Sequence, residues 1–279
     1  MSIIEAVFVI LSAVLLLALA RLVQQWLYGQ TLRALLTESD NPAMGIAIAG
    51  YIFGVFWTVT VLLGHLSYEL LPDILGVLLY GVVGLLLLTL VALGTCRVFL
   101  GTAVQEQLGA RNVAAAIVVA GAYIATSLTY SGTLSGEGGG FWIFLLFFLL
   151  GQAALLGIAY AFRWLTNYDD VQEIAAGNVA AALALTGVLI AVGLIVRRAV
   201  SGDYAGFWPS LSGFVLALLL VLVLYPVRQV LLQWLLLGGP IHWRATLLDY
   251  EIAQDKNVAV GLLEATAYIT AALFVTNIV

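Results

Sequence analysis

Hydrophobic positions fall into eight long blocks separated by short polar stretches: about Ile3 to Val23, Pro42 to Leu63, Ile74 to Leu100, Val113 to Thr133, Phe141 to Leu165, Val179 to Val196, Phe207 to Val227 and Val258 to Ile278. Blocks of about 18 to 25 residues cross roughly 30 Å of hydrocarbon as helices. A membrane β-barrel would instead alternate apolar and polar positions over segments of about ten residues. The run Phe214 to Leu224 is apolar on every face, which fits a helix and not such a strand. The pattern therefore predicts an all-α protein, a polytopic transmembrane helical bundle of eight spans.

A short phrase recurs where polar segments hand over to apolar ones: Asn41-Pro-Ala-Met-Gly45, Asn112-Val-Ala-Ala-Ala116, Asn178-Val-Ala-Ala-Ala182 and Asn257-Val-Ala-Val-Gly261. The four asparagines stand 71, 66 and 79 residues apart, room for two spans each. Self-similarity at such a period identifies the building unit. Four tandem two-helix repeats are expected, over residues 1–65, 66–134, 135–200 and 201–279. The middle two are the closest pair: Ser135-Gly-Glu-Gly-Gly-Gly-Phe-Trp142 aligns with Ser201-Gly-Asp-Tyr-Ala-Gly-Phe-Trp208, and Arg97 with Arg163. In the last unit, Val230 to Leu237 resembles Leu22 to Leu27 and is expected to form an interfacial helix.

An Asn opening an apolar helix is a preferred N-cap, its side-chain oxygen accepting from an orphan backbone N–H. Small residues follow nine and thirteen positions later: Gly50 and Gly54, Gly121 and Ala125, Gly187 and Ala191, with Thr266 and Thr270 in the last unit. Small residues at this helical spacing let helix backbones approach closely in lipid. The second helix of each unit is thus expected to be the inner, tightly packed one. The alternative role for Asn41, Asn112, Asn178 and Asn257 is to surround an axis and face a ligand or ion at the positive ends of helix dipoles.

Composition agrees with a lipid setting: 63% of residues are hydrophobic, 9% are charged, and the mean hydropathy is +1.12. Of ten Lys and Arg residues, eight (Arg21, Arg33, Arg97, Arg111, Arg163, Arg228, Arg244, Lys256) lie in or beside the loops within units, and Arg197 and Arg198 flank a loop between units. The positive-inside rule then puts the intra-unit loops in the cytoplasm and both termini on the outer side. In the first block Glu5 stands at the beginning and Arg21 at the end of the apolar stretch, the reverse of a signal peptide's charge order, so it reads as a retained helix. The single cysteine, Cys96, reads as a small apolar residue.

Glu264 lies seven residues inside the last block, where the other units have Ile48, Val119 and Leu185. An ionisable residue within a span is a functional candidate. Arg228 or another first-helix Arg is its expected partner, with a structural pair and a proton or cation path as the competing roles. Arg21, Arg97, Arg163 and Arg228 recur near the cytoplasmic end of each first helix, either as snorkelling anchors or as a ring for anionic groups. Glu137 and Asp203 in the glycine-rich outer loops are weak cation ligands, and His65 and His242 are expected on opposite sides. No phosphate-binding loop, dinucleotide fingerprint or metal motif is present. No metal, cofactor or catalytic constellation is expected, and the chain reads as no enzyme.

The combination carried by Glu173-Ile-Ala-Ala-Gly-Asn178-Val-Ala-Ala-Ala182, with weaker forms at Asn41, Asn112 and Asn257, resembles the YjfL-like inner-membrane family of bacteria, a domain of unknown function. A typical member is one pair of such repeats, so the chain resembles a duplicated version. Pro42 after the first Asn and Thr266 in the last unit depart from the pattern. The resemblance implies a bacterial inner-membrane location and the company of envelope-stress proteins of the phage-shock type and polyamine-related enzymes. Expected partners are the lipid bilayer, a cytoplasmic stress-response protein and further copies in a homo-oligomer, with no nucleic acid. The leading functional expectation is a membrane scaffold or stress-response component, against a channel or secondary transporter for a small cation or polyamine.

Overall fold

Each apolar block becomes a helix because only a helix pairs every backbone N–H and C=O within its own segment when the surroundings are hydrocarbon. In the computed structural model, which describes residues 3–29, 31, 33–34, 37, 40–66, 69–136, 138–243 and 247–278, eight helices are long and apolar enough to cross a membrane. The chain is a multi-pass membrane protein. Seven of the spans are α1 (Ile3–Tyr28), α2 (Pro42–Leu63), α3 (Leu70–Leu100), α5 (Val113–Leu134), α6 (Gly140–Phe162), α8 (Val179–Val200) and α12 (Val258–Ile278). The remaining one joins α9 (Phe207–Leu218) to α10 (Val221–Gln229) and a π-helix over Val230–Leu236. Short helices α4 (Val104–Gly109), α7 (Asp170–Ala175) and α11 (Leu247–Ala253) precede α5, α8 and α12. No strand occurs among the described residues.

The spans sort into inner and outer sets. In α5 and α8, 78% and 72% of the central stretch is buried, against 33% in α3 and α6 and 17% in the 207–236 span. The inner helices form a row in which α2 packs on α5, α5 on α8 and α8 on α12. Small residues make this approach possible. A Cβ on Gly50 would overlap Ala120, one on Gly187 would overlap Ala265, and one on Gly121 would stand 2.6 Å from Thr186 Cγ2. Gly54 meets Leu88 and the Tyr123 carbonyl, Ala125 receives Gly193, and Ala191 is fully buried. Thr266 and Thr270, at the end of the row, are exposed. Polar cross-links add specificity: Trp57 Nε1 donates to Ser131 Oγ (3.0 Å) and Thr186 Oγ1 to the Ile117 carbonyl (3.2 Å).

Several boundaries differ from the sequence pattern, among them the end of α1, which runs on to Tyr28. Helix α3 starts at Leu70 and spans about 46 Å, longer than the hydrocarbon, with Asp73 and Arg97 near its two ends. Helix α8 continues to Val200, its last turn carrying Arg197, whose guanidinium lies over the Trp57 ring at 5.2 Å. The expected interfacial helix at Val230 is instead a π-helical continuation of α10, closed by Leu237 N donating to the Leu232 carbonyl (3.0 Å). Pro226, lacking an N–H, loosens the turn before it. Beyond it, Gln229 and Gln233 bind the following loop, so the widened turns are anchored from outside the helix. At the opposite end, Gly202 N donates to the Ser135 carbonyl (2.9 Å), joining the two glycine-rich loops.

Candidate functional site

The starts of α2, α5, α8 and α12 all carry the recurrent asparagine at one end of the bundle. In each, Oδ1 closes the asparagine's own helix: Asn41 accepts from Ala43 N (3.0 Å) and Met44 N (3.2 Å), Asn112 from Ala115 N (3.1 Å), Asn178 from Ala181 N (3.2 Å), and Asn257 from Ala259 N (3.1 Å). The Nδ2 group does something a cap does not require. Asn41 donates to the Leu108 carbonyl in α4 (2.8 Å), Asn112 to Ile174 in α7 (2.9 Å) and Asn178 to Ile252 in α11 (2.8 Å). These carbonyls lie in the last turns of the short helices, and those of Leu108 and Ile174 also accept from Arg111 N (3.1 Å) and Gly177 N (3.0 Å) of the closing turn. Asn41, Asn112 and Asn178 therefore each fasten their helix start to the short helix that precedes the next asparagine.

The same Nδ2 group also binds a side chain just upstream: Gln107 Oε1 for Asn112 (2.9 Å), Glu173 Oε2 for Asn178 (2.8 Å) and Glu251 Oε2 for Asn257 (2.9 Å). Immediately before each asparagine, Asp40, Arg111, Gly177 and Lys256 all have positive φ, and after α4, α7 and α11 this left-handed residue reverses the chain into the next helix. Leu108, Ile174 and Ile252 are wholly buried. The sequence signal that marks them is an apolar residue four or five positions before the Asn. The helices that carry the four asparagines follow one another along the row, α2 on α5, α5 on α8 and α8 on α12.

Between α8, α10 and α12 lies a buried charge network. Arg228 Nη2 is 2.7 Å from Glu264 Oε1, with both side chains almost fully enclosed. Arg228 also donates to Gln229 Oε1, Gln233 Nε2 donates to the same oxygen (2.7 Å), and His242 N donates to Gln233 Oε1 (2.6 Å). Nearby, Arg163 reaches Asp169 (3.2 Å) and Asp170 (3.5 Å), and Asn167 Nδ2 donates to Asp249 Oδ2 (3.2 Å). A cavity of about 20 Å³, lined by Arg163, Tyr168, Asp170, Glu264 and Tyr268, separates the two ion pairs. That space holds about one water. Among the described residues, Glu264 Oε2 and Arg228 Nε have no hydrogen-bond partner. Burial pushes the Asp170 carboxyl up to about 7 against the opposing pull of Arg163, with Glu264 and Asp169 adding to the rise. Burial likewise holds the Tyr168 phenol well above its usual range.

A family model described as Domain of Unknown Function (DUF350) matches residues 1–134 and again 137–279. The chain belongs to the DUF350 family. No curated protein and no solved structure matches it. The two DUF350 matches divide the molecule between α5 and α6, so each holds two of the asparagines. Tyr123 and Tyr268 stand eleven residues beyond Asn112 and Asn257, at like positions of the two matches. The first faces the neutral groups Gln24, Tyr28, Tyr51 and Cys96, whereas the second faces Arg228 and Glu264.

The other candidates remain apart. Of Arg21, Arg97, Arg163 and Arg228, Arg228 is buried while Arg21 and Arg97 are exposed. His65 follows α2 at the glycine-loop end and His242 follows the π-helix at the asparagine end. Glu137 and Arg244 lie outside the described residues. Among the described residues no cluster of His, Cys, Asp or Glu has metal-site geometry.

Proposed function

We propose that this DUF350 protein is a non-enzymatic scaffold of a bacterial inner membrane, built as four tandem two-helix repeats of the YjfL-like type. The observation that carries the reading is the use made of the candidate polar groups. Asparagines lining an ion path would leave amide groups facing that path, but here each Oδ1 closes a helix and each Nδ2 is held by protein. Glu264 is locked against Arg228 beside space for about one water. These arrangements favour rigidity. The asparagine end, with Arg97, Arg111, Arg163 and Lys256, faces the cytoplasm by the positive-inside rule, and presents its short helices and connecting loops to a stress-response partner.

The competing reading, a channel or secondary transporter for a small cation, draws on Glu264 Oε2, which is unpaired beside that cavity and near Asp170. Flux in sealed proteoliposomes decides between them, with wild type and Glu264→Gln tested against imposed proton and potassium gradients. The scaffold reading expects both proteins to hold the gradients as tightly as protein-free vesicles. A leak that disappears in Glu264→Gln would replace it with transport. Co-purification through the cytoplasmic loops then identifies the docked partner.

A further inference from the structure

The row of inner helices repeats one contact three times. With positions counted from each asparagine, the residue nine beyond it on one helix lies against the residue eight beyond it on the next: Gly50 against Ala120, Gly121 against Thr186 and Gly187 against Ala265. Nearer the asparagines, Gly261, four beyond its own, lies against Ala180, two beyond the asparagine of α8. A helix of the row therefore has a leading face, with positions four and eight, and a trailing face, with positions two and nine. The asparagine bonds run in the same direction, each to the short helix that precedes the next asparagine.

Both ends of the row are open. On α2 the leading face is bare: a Cβ on Gly45 would meet nothing within 4 Å, and Ala49 is exposed. Eleven residues beyond the asparagine, Tyr123, Leu189 and Tyr268 are at most 3% exposed, whereas Ile52 is 41% exposed. On α12 the trailing face is bare: Ala259 is exposed where Ala43, Ala114 and Ala180 are wholly buried, and Thr266 and Thr270 are exposed as well. Thr266 set against Ala49 would repeat, with sides exchanged, the threonine-to-small contact of Thr186 with Gly121.

Polar groups at the two ends match in the same sense. The Asn257 amide binds Glu251, and among the described residues it reaches no short-helix carbonyl beyond its own segment. Thr37 stands four positions before Asn41, as Leu108 and Ile174 stand before their asparagines, and is exposed where those two are wholly buried. Lys256 and Asp40, just before the two end asparagines, are exposed and opposite in charge.

We infer that the chain assembles head to tail with a second copy of itself, the trailing face of α12 in one copy packing on the leading face of α2 in the next. Thr266 then lies against Ala49, and the Asn257 amide donates to the Thr37 carbonyl. The contact is heterologous, joining two different surfaces, so the assembly closes as a ring or extends as a filament and is not a two-fold dimer. It is independent of the choice between scaffold and transporter.

Cysteine cross-linking of the full-length protein in membranes tests the polarity, with wild type, whose Cys96 is buried, as the control. On oxidation with copper–phenanthroline, chains carrying both Ala49→Cys and Thr266→Cys should form a ladder of dimers, trimers and larger species. Either substitution alone should leave monomers, and the two single variants expressed together should stop at the dimer. Subunit counting by photobleaching of labelled protein in liposomes is the second readout. Ala49→Trp and Thr266→Trp, both on exposed faces that leave each copy's own core intact, should each lower the oligomeric fraction about fivefold or more, while Leu90→Trp on the exposed face of α3 should not. Dimers of either single-cysteine variant would show a two-fold contact instead. Wild type that counts as a monomer would show that lipid covers both faces. Each of these results, or an oligomer indifferent to both Trp substitutions, overturns the assignment.

Discussion

Asn178 is wholly enclosed, and three bonds converge on its amide: one closes α8, one holds Glu173 and one holds the carbonyl end of α11. Among the described residues Asn257 closes α12 and holds Glu251, and its amide reaches no carbonyl of another short helix. Asn178→Ala removes a cap and strands the Ile252 carbonyl, an expected loss of about 3 kcal/mol, whereas Asn257→Ala should lose about 1 kcal/mol. Thermal unfolding in detergent measures both, and equal losses would mean that the bond to the next short helix contributes nothing. Asp170 carries a separate signature. Its carboxyl titrates near 7 in the folded protein against 3.8 ordinarily, so between these values the folded state holds a proton that the unfolded state has released. Stability from this group is complete below about pH 4 and falls as pH rises toward 7, by a few kcal/mol at most. Asp170→Asn should flatten that decline, as followed by unfolding temperature from pH 4 to 8; an unchanged slope would place the titration elsewhere.

At the level of helices, the position of a glycine decides what a methyl group does. Gly187 lies against the backbone of Ala265, and a Cβ there forces α8 and α12 apart. Gly157, on the exposed face of α6, has open space around its Cβ direction and ordinary helical surroundings. Gly187→Ala should destabilise by about 1–3 kcal/mol through overpacking, while Gly157→Ala should be neutral or stabilise by up to about 1 kcal/mol. The same sign for both would show that helix propensity, not close approach, governs these spans. Periodicity of small residues after Asn41, Asn112 and Asn178 marked the close-packed faces of α2, α5 and α8, because lipid offers no hydrophobic gain for packing helices together and close approach must be written in side-chain size; the matching Thr266 and Thr270 of α12 are exposed. The π-helix after Gln229 was not legible, because its cause is a set of side-chain bonds from Gln229 and Gln233 to a loop folded back onto them.

For the molecule as a whole, the eight spans could be read from hydrophobic block length, and the capping role of the asparagines from residue type. Their second bonds could not, since the acceptors are backbone carbonyls whose identity depends on which short helix arrives beside them. The pairing of Arg228 with Glu264 lies between these cases: a lone acid in a span requires a cation, but several arginines competed until the fold brought one within 2.7 Å. The same neighbour-to-neighbour logic sets how the two family matches hold together. The division at residues 134–137 falls where only a loop is cut, while the α5 and α8 surfaces it separates form the most extensive helix interface, reinforced by Asn112 to Ile174 and by Gly202 to Ser135. Residues 1–136 and 137–279 expressed together as separate chains should therefore recover one complex, with a tag on either half retaining the other through detergent extraction. Gly121→Leu with Asn112→Ala in the first half should abolish that retention, because Gly121 already leaves only 2.6 Å between an added Cβ and Thr186. Separate elution of the unaltered halves would mean that chain continuity, and not the α5–α8 surface, holds the row together.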